Sequence, residues 1–388
     1  MERLRAIQTV PGPWLPATET WLYNQIRHLP DRIEPHVLCH GTVNLEQFTV
    51  DHVHSFDNAP PWRQRWDTTL RRLRVRPHLG YLAAHARRLQ PAIVHSHFGP
   101  TGWQHRRLAR RLRAKHVVTF YGLDVRHLPE TYPAWRRRYR RMFTSVNAVL
   151  CEGAFMARQI VELGCPASKV WVHHLGVDTA AIPFTPRPWA PDTPLAILIA
   201  GSFREKKGIP IALEAAARLR RERPVAVTLV GDAGDDPRSV REKAAIERVL
   251  DETGLRDCVR TLGFQPHATL LEEARRHHVF LAPSQTAADG DTEGGAPVAI
   301  IEMMAAGLLV VSTRHCDIPG VVRDGITGHL ASERDVDGLV ACLRHVAGAP
   351  ERWETMRRQA RSHVEREFDA ARQGERLADL YQSLARAA

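Results

Sequence analysis

Two short segments hold residue types whose spacing suits a phosphorylated ligand. The first is Gly201-Ser202-Phe203-Arg204-Glu205-Lys206-Lys207-Gly208, between an apolar run and a helical pattern. Its Arg204, Lys206 and Lys207 can reach a diphosphate lying over the loop. The second runs from Ser284 to Gly307 and reads as a strand end, a polar Gly-rich loop and a helix. Pro297 suits the first turn of that helix and Gly307 its C-terminal stop. The amides of Gly294, Gly295 and Ala296 then stand at the helix start, where unpaired N–H groups and the dipole favour an anion. Glu302 lies further inside the same helix. A carboxylate there cannot favour phosphate, but it can accept two hydrogen bonds from a ribose diol. An acid beside an anion-binding helix start points to a nucleotide. The plainer readings are an exposed basic turn at 201–208 and an amphipathic helix with Glu302 in solvent.

Metal chemistry is poorly supported. Asp289-Gly290-Asp291 could hold a divalent ion near a diphosphate. The pairs His95/His97 and His173-His174 have no third ligand near in sequence, and the chain has 21 His. No metal and no resident cofactor are expected.

The elements that must position these residues form a repeating pattern. Arg3–Val10, Ala92–His97, Lys115–Phe120, Val146–Cys151 and Lys169–His173 read as strands. Glu19–Leu29 reads as a helix, and Arg-rich helices lie before and between the next strands. Pro183 to Pro194 holds five prolines and cannot continue a helix or a central strand, so 183–194 reads as a linker. The alternation then restarts, with strands at Leu195–Ala200, Val225–Gly231, Val259–Leu262, His278–Ala282 and Leu308–Ser312. Helices at Pro210–Arg221, Ser239–Thr253, Thr269–Arg276 and Val298–Ala306 separate them. Arg352 to Ala388 reads as helices. Alternating strands and helices predict two doubly wound α/β domains facing across a cleft, with ligands beyond the carboxyl ends of the strands. The expected division is 1–182, the linker 183–194, 195–365, and a C-terminal helix 366–388 returning towards the first domain.

At 388 residues the chain is too long for one ordinary core and fits two. Hydrophobic residues at 44% and charged residues at 25% exclude a mainly disordered chain. No apolar run is long enough for a transmembrane helix, and Met1 to Pro11 is too short and polar for a secretory signal. The six cysteines are scattered without a C-x-x-C pair, which fits a reducing cytoplasm. The net charge of +11 is lopsided. Residues 1–185 hold 26 Lys and Arg against 13 Asp and Glu, and the remainder 28 against 30. Trp62-Arg63-Gln64-Arg65-Trp66 and Trp135 to Arg141 mix aromatics with Arg, as suits the headgroup layer of an anionic membrane. Arg71-Arg72-Leu73-Arg74 and Arg106 to Lys115 are further basic clusters. No nucleic-acid motif accompanies them, so no nucleic-acid partner is expected. A solvated Arg-rich surface is the bland alternative.

These motifs together resemble the GT-B glycosyltransferases of the retaining family 4. That family shows a Gly-x-x-x-x-Lys-Gly loop, a Glu-x7-Glu loop and helix, a Pro-Val-Val-x-Thr strand and an Asp-Gly-x-x-Gly turn. Here they read Gly201 to Lys207-Gly208, Glu293 to Glu302, Leu309-Val310-Val311-Ser312-Thr313, and Asp324 to Gly328. In the first half, Thr18-Glu19-Thr20-Trp21, His95 to Gly99 and Thr119-Phe120-Tyr121-Gly122-Leu123-Asp124 resemble exopolysaccharide and colanic-acid-type members.

The resemblance implies that Lys207 holds the donor diphosphate and Glu302 the ribose hydroxyls. Glu293 and the Gly294–Ala296 amides would meet the donor sugar and phosphate, and Gly263-Phe264-Gln265 would lie near the base. Three departures stand out. Glu293 to Glu302 is one residue longer than the family spacing. Ser202 stands where an Arg is usual, with Arg204 two positions on. Tyr121 replaces the common cleft histidine. His97 and Asp124, near strand ends, are candidates for acceptor contact, with a buried and hydrogen-bonded His97 as the alternative. The implied donor is a UDP- or GDP-sugar, and the implied acceptor a glycan or polyprenyl-linked sugar. The enzyme would be cytoplasmic and peripheral on the inner membrane face. A nucleotide-sugar epimerase and a non-catalytic basic membrane- or nucleic-acid-binding protein are the competing readings.

Overall fold

The computed structural model describes residues 3–15, 20–46, 48–73, 75 and 79–387. Thr18, Glu19 and Arg74, singled out above, lie outside the described residues. The chain forms two compact units, one of 1–176 with 370–388 and the other of 177–369.

The first unit holds strands β1 (Leu4–Thr9), β2 (Pro13–Trp14), β3 (Ile33–Cys39), β4 (Gly41–Thr42), β5 (Val53–Ser55), β6 (Ile93–His97), β7 (Lys115–Thr119), β8 (Ala148–Cys151) and β9 (Val170–Val172). Seven of these form a parallel sheet in the order β5-β3-β1-β6-β7-β8-β9, and β2 pairs with β4. The side chains alternate between faces, as the pleat demands. Val117 joins the core on one face with Ala6, Ile33, Ile93, Ala148 and Leu150. Val118 joins the other with Phe120, Tyr139 and Phe143.

The helix Ala370–Arg386 completes the first face, packing Leu377, Ala378 and Tyr381 onto it. Burying a side chain of the size of Leu377 stabilises by roughly 1.5–3 kcal/mol. The helix comes close because position 374 is glycine. A Cβ there would stand 1.9 Å from the His28 carbonyl oxygen. The expected return of the C-terminal helix is therefore present, beginning at Ala370 rather than at 366.

The second unit holds β10 (Leu195–Ala200), β11 (Val225–Val230), β12 (Val259–Thr261), β13 (Val279–Ala282), β14 (Leu309–Thr313) and β15 (His329–Ala331). They form a parallel sheet in the order β12-β11-β10-β13-β14-β15. The inner strands are covered on both faces, so β10, β11 and β13 are almost wholly apolar. Leu195, Ile197 and Ile199 enter one core and Leu198 the other.

The segment 183–194 departs from the expected linker, for it packs on the second unit. Trp189 stacks on Trp353 with ring centroids 5.0 Å apart, and the Thr185 amide donates to Ala306 O at 3.2 Å. Arg357 donates to Arg187 O at 3.1 Å. The prolines exclude regular structure, but Phe184 and Trp189 still find apolar partners. The division between units consequently falls at 176/177, not at 182. Among the described residues no helix is long and apolar enough to cross a membrane.

Candidate active site

In the second sheet the strand order reverses between β10 and β13. Ligands of doubly wound sheets sit at the carboxyl ends of the two strands flanking that point. The loop after β10 is 201–208, and the loop after β13 begins at Pro283. These are the two segments whose composition suggested phosphate chemistry.

The two loops are laced together. Lys207 Nζ lies 2.9 Å from Glu293 Oε1 and 3.0 Å from Oε2. Ser284 Oγ donates to Glu293 Oε1 at 2.9 Å. The Gln285 amide donates to Lys206 O, and its side chain donates to Glu205 O, both at 2.9 Å. The close approach depends on Gly208, which has φ +63°; a Cβ there would stand 2.1 Å from Pro283 O. Burial raises the pKa of the Glu293 carboxyl, but Lys207 and Lys206 outweigh it and hold the group below its ordinary value. Glu293 is thus a buried carboxylate with a cationic partner.

Two histidines that the sequence motifs did not single out position the carboxylates. His315 Nε2 accepts from the Glu293 amide at 3.1 Å, so its Nδ1–H donates to Glu333 Oε1 at 2.7 Å. Glu333 Oε2 in turn accepts from the Thr286 amide at 2.7 Å. His267 Nε2 lies 2.8 Å from Glu302 Oε1. Its hydrogen bond to Glu302 raises the His267 pKa. Glu302 is buried, so it is not the solvated acid of the plainer reading. His267 follows Gly263-Phe264-Gln265 by two residues, so the 263–265 turn and Glu302 are joined. Gly263 O accepts from the Gly231 amide at 2.8 Å, Gln265 donates to Leu262 O, and the Phe264 ring is exposed.

The helix expected at 298–306 is Val298–Ala306, and no side chain caps its N-terminus. Pro297 occupies the cap position, one residue before the expected first turn. Gly294, with φ +78°, Gly295 and Ala296 are buried in front of it. The Gly294 amide donates to Thr292 Oγ1 at 3.2 Å.

Gly201 and the exposed Ser202 open the basic loop. Arg204 turns to Asp236, at 3.0 Å, and lines a pocket of about 410 Å³ with Lys206, Arg238 and Arg241. Asp291 pairs with Lys206 at 3.3 Å and Asp289 with Arg238 at 2.9 Å. Each carboxylate of the Asp-x-Asp sequence therefore has its own cation.

The first-unit candidates occupy a different setting. His97 is fully buried, with Tyr121 OH 2.6 Å from Nδ1 and Gln8 Oε1 3.0 Å from Nε2. Gln8 Nε2 donates to Tyr381 OH at 3.1 Å, and Tyr381 OH lies 2.6 Å from His95 Nδ1. His95 Nε2 lies 2.6 Å from Thr119 Oγ1. One consistent assignment has Tyr121 donating to His97 and His97 to Gln8. Gln8 then donates to Tyr381, Tyr381 to His95 and His95 to Thr119. Both imidazoles are neutral in it, and burial pushes the His97 pKa down to about 3.

The structure therefore favours the buried, hydrogen-bonded reading of His97. Asp124 is likewise buried, accepting from the Gly99 amide at 2.6 Å and the Tyr121 amide at 3.0 Å. Burial raises its pKa to about 6. Its oxygens hold the start of the helix Gly99–Leu112 rather than facing a ligand.

Comparison with known proteins agrees with this architecture. Residues 194–348 match the model described as glycosyl transferases group 1, and residues 18–181 match glycosyltransferase family 4. The amylovoran biosynthesis glycosyltransferase AmsK of Erwinia amylovora is 31% identical over 325 residues, covering 79% of this chain and 77% of the relative. A glycosyltransferase from Rickettsia africae superposes with a TM-score of 0.78 at 15% identity, over all of both chains. Anabaena HepE in complex with UDP superposes with a TM-score of 0.77 at 17% identity, over 99% of this chain and 100% of that one. With its two halves matched in turn and a relative aligned over most of its length, the chain belongs to glycosyltransferase family 4 and has the GT-B fold.

Proposed function

We propose that this protein is a retaining glycosyltransferase that moves a sugar from a nucleoside-diphosphate sugar, a UDP- or GDP-sugar, onto a hydroxyl of a glycan or polyprenyl-linked acceptor. The pathway class is exopolysaccharide synthesis, which AmsK supports by its name. The observation that carries the reading is the Lys207–Glu293–Ser284 cluster at the switch point of the second sheet. In the reaction the acceptor oxygen bonds to the anomeric carbon as the carbon–oxygen bond to the diphosphate breaks. The acceptor proton passes to the departing phosphate oxygen. Lys207, Arg204 and the uncapped helix start would stabilise the charge on the leaving group. Glu302, oriented by His267, would accept hydrogen bonds from the ribose. Chemistry without a metal is part of the proposal, because Lys206 and Arg238 neutralise the Asp-x-Asp pair.

A thermal-shift titration with UDP, GDP, ADP and dTDP, each with and without EDTA, tests this. One nucleotide is expected to stabilise the protein, by about 2.7 kcal/mol at a hundredfold excess over its Kd. EDTA should not alter the shift, and Glu302→Ala should abolish it. No shift with any nucleotide would remove the donor site and leave a binding protein as the better reading.

Membrane docking by the basic first unit is a further part of the proposal. Of the two Trp-Arg clusters, the helix Pro61–Arg72 presents Trp62 and Trp66 at 66% and 58% exposure beside Arg63, Arg65, Arg71 and Arg72. The helix Ala134–Phe143 instead buries Tyr139 and packs Trp135 on the core. Trp62→Ala with Trp66→Ala is expected to weaken binding to phosphatidylglycerol vesicles roughly tenfold or more in co-sedimentation. Equal binding of the variant would sink this part alone.

A further inference from the structure

We propose that the outer edge of the first unit's sheet binds a transition-metal dication of the zinc class through Glu34, His36 and His52. Strand β5 is the edge strand, and its neighbour β3 pairs Leu38 with His54 in parallel register. Side chains alternate along each strand, so Glu34, His36 and His54 lie on one face. The His52 ring reaches the same group, stacking on His36 with centroids 4.5 Å apart. Among the described residues, Glu34, His36 and His52 offer three ligand atoms within 4.8 Å of one another.

The separations are close to those a bound ion requires. His36 Nε2 is 3.0 Å and His52 Nε2 4.0 Å from Glu34 Oε1. Ligand bonds of about 2.0–2.1 Å in a tetrahedron put ligand atoms roughly 3.3 Å apart. His52 is half exposed and can make the short inward move, while His36 is buried and fixed.

The surroundings orient the ligands. His36 Nδ1 lies 3.2 Å from His54 Nε2, so His54 can accept the Nδ1 proton and leave Nε2 of His36 free for a metal. His85, from the helix Gly80–Leu89, packs on His54 with centroids 5.2 Å apart. Arg5 Nε lies 3.4 Å from Glu34 Oε2, which holds the carboxylate with Oε1 towards the imidazoles. The Arg5 charge opposes a cation, so the affinity comes from the imidazoles. Two imidazoles and one carboxylate select zinc, cobalt or nickel over magnesium or calcium. Three protein ligands leave a fourth position for water. An ion here would tie a three-residue edge strand to the rest of the sheet. The site lies in the first unit and takes no part in the transfer proposed for the second.

The test uses the full chain, stripped with EDTA and desalted, then titrated with Co2+, with Zn2+ in competition and Mg2+ as control. One Co2+ per chain with tetrahedral visible bands, displaced by Zn2+ but not by Mg2+, is expected. His52→Ala removes a half-exposed ligand and should melt like the wild type without metal, yet lose about 10–100-fold or more in Co2+ affinity. Glu34→Gln should lose affinity as well. The absence of a tetrahedral Co2+ spectrum overturns the proposal. So does unchanged affinity in both variants, which would place the ion elsewhere among the 21 histidines.

Discussion

Under the proposed reaction, replacing Lys207 by methionine is expected to lower turnover with a nucleotide-sugar donor by about 10²–10³-fold, the cost of losing one preorganised stabiliser of developing negative charge. The same change should destabilise the second unit by about 3–5 kcal/mol, because it removes the partner of a buried carboxylate. The two effects separate in Lys207→Met with Glu293→Gln, measured against Glu293→Gln alone. A neutral amide at 293 needs no cation, so stability should largely return while turnover stays low. If turnover returned with stability, Lys207 would be a structural ion-pair partner and nothing more.

The pH dependence gives a second readout. In the wild type the folded Glu293 carboxyl is held below its ordinary value. Its contribution to stability is therefore present at neutral pH and lost as pH falls through the acid range. In Lys207→Met the burial that already opposes ionisation takes over and raises the pKa. Stability of the variant should then fall as pH rises from about 5 to 8. Urea unfolding across that range measures the slope, and a flat profile would mean that Lys206 alone holds the charge.

Gly208→Ala is expected to cost more than about 4 kcal/mol, the range reserved for backbone clashes and comparable defects. Two physical demands coincide at this position. The backbone is in the left-handed region, and a Cβ would meet Pro283 O at 2.1 Å. Pro283 precedes Ser284, so relieving the clash pulls the basic loop away from the carboxylate loop. The variant should lose the nucleotide-dependent rise in Tm along with stability. Gly320→Ala is the control, since nothing lies within 4 Å of its Cβ position. Equal urea midpoints for the two variants would show that the loops are not held at that distance.

The second unit was legible from sequence because its central strands are buried on both faces and appear as unbroken apolar runs. Strands β3 and β5 were not placed. Glu34, Pro35 and His36 interrupt the first, and the second is three residues long beside His52. Strand β15 and the helix Val336–Gly348 were also missed. The prolines of 183–194 announced irregular backbone correctly. They carry no information about the Trp189–Trp353 stack, which decides which unit that backbone joins. Lys207 stood out because cations beside glycines are chemically suggestive, and Glu293 only through the motif that the resemblance supplied. His267 and His315 did not, because their roles come from tertiary contacts to Glu302 and Glu293, 35 and 22 positions away. His97 and Asp124 were placed near strand ends, but alternation of strands and helices says nothing about how deeply such an end is buried.

The helix Ala370–Arg386 also shapes how the protein comes into being. Gln8 and Tyr381, hydrogen-bonded in the finished molecule, are 373 positions apart. On the ribosome the second unit emerges as one uninterrupted stretch and can fold as it appears. The first unit's core is completed only afterwards, because the helix that packs with Ala6, Ile93, Val117 and Leu150 follows the second unit in the chain. At about 5–20 residues per second, the intervening stretch of roughly 190 residues takes about 10–40 s to synthesise. For that interval the apolar sheet face that the helix covers in the finished molecule lacks its own cover.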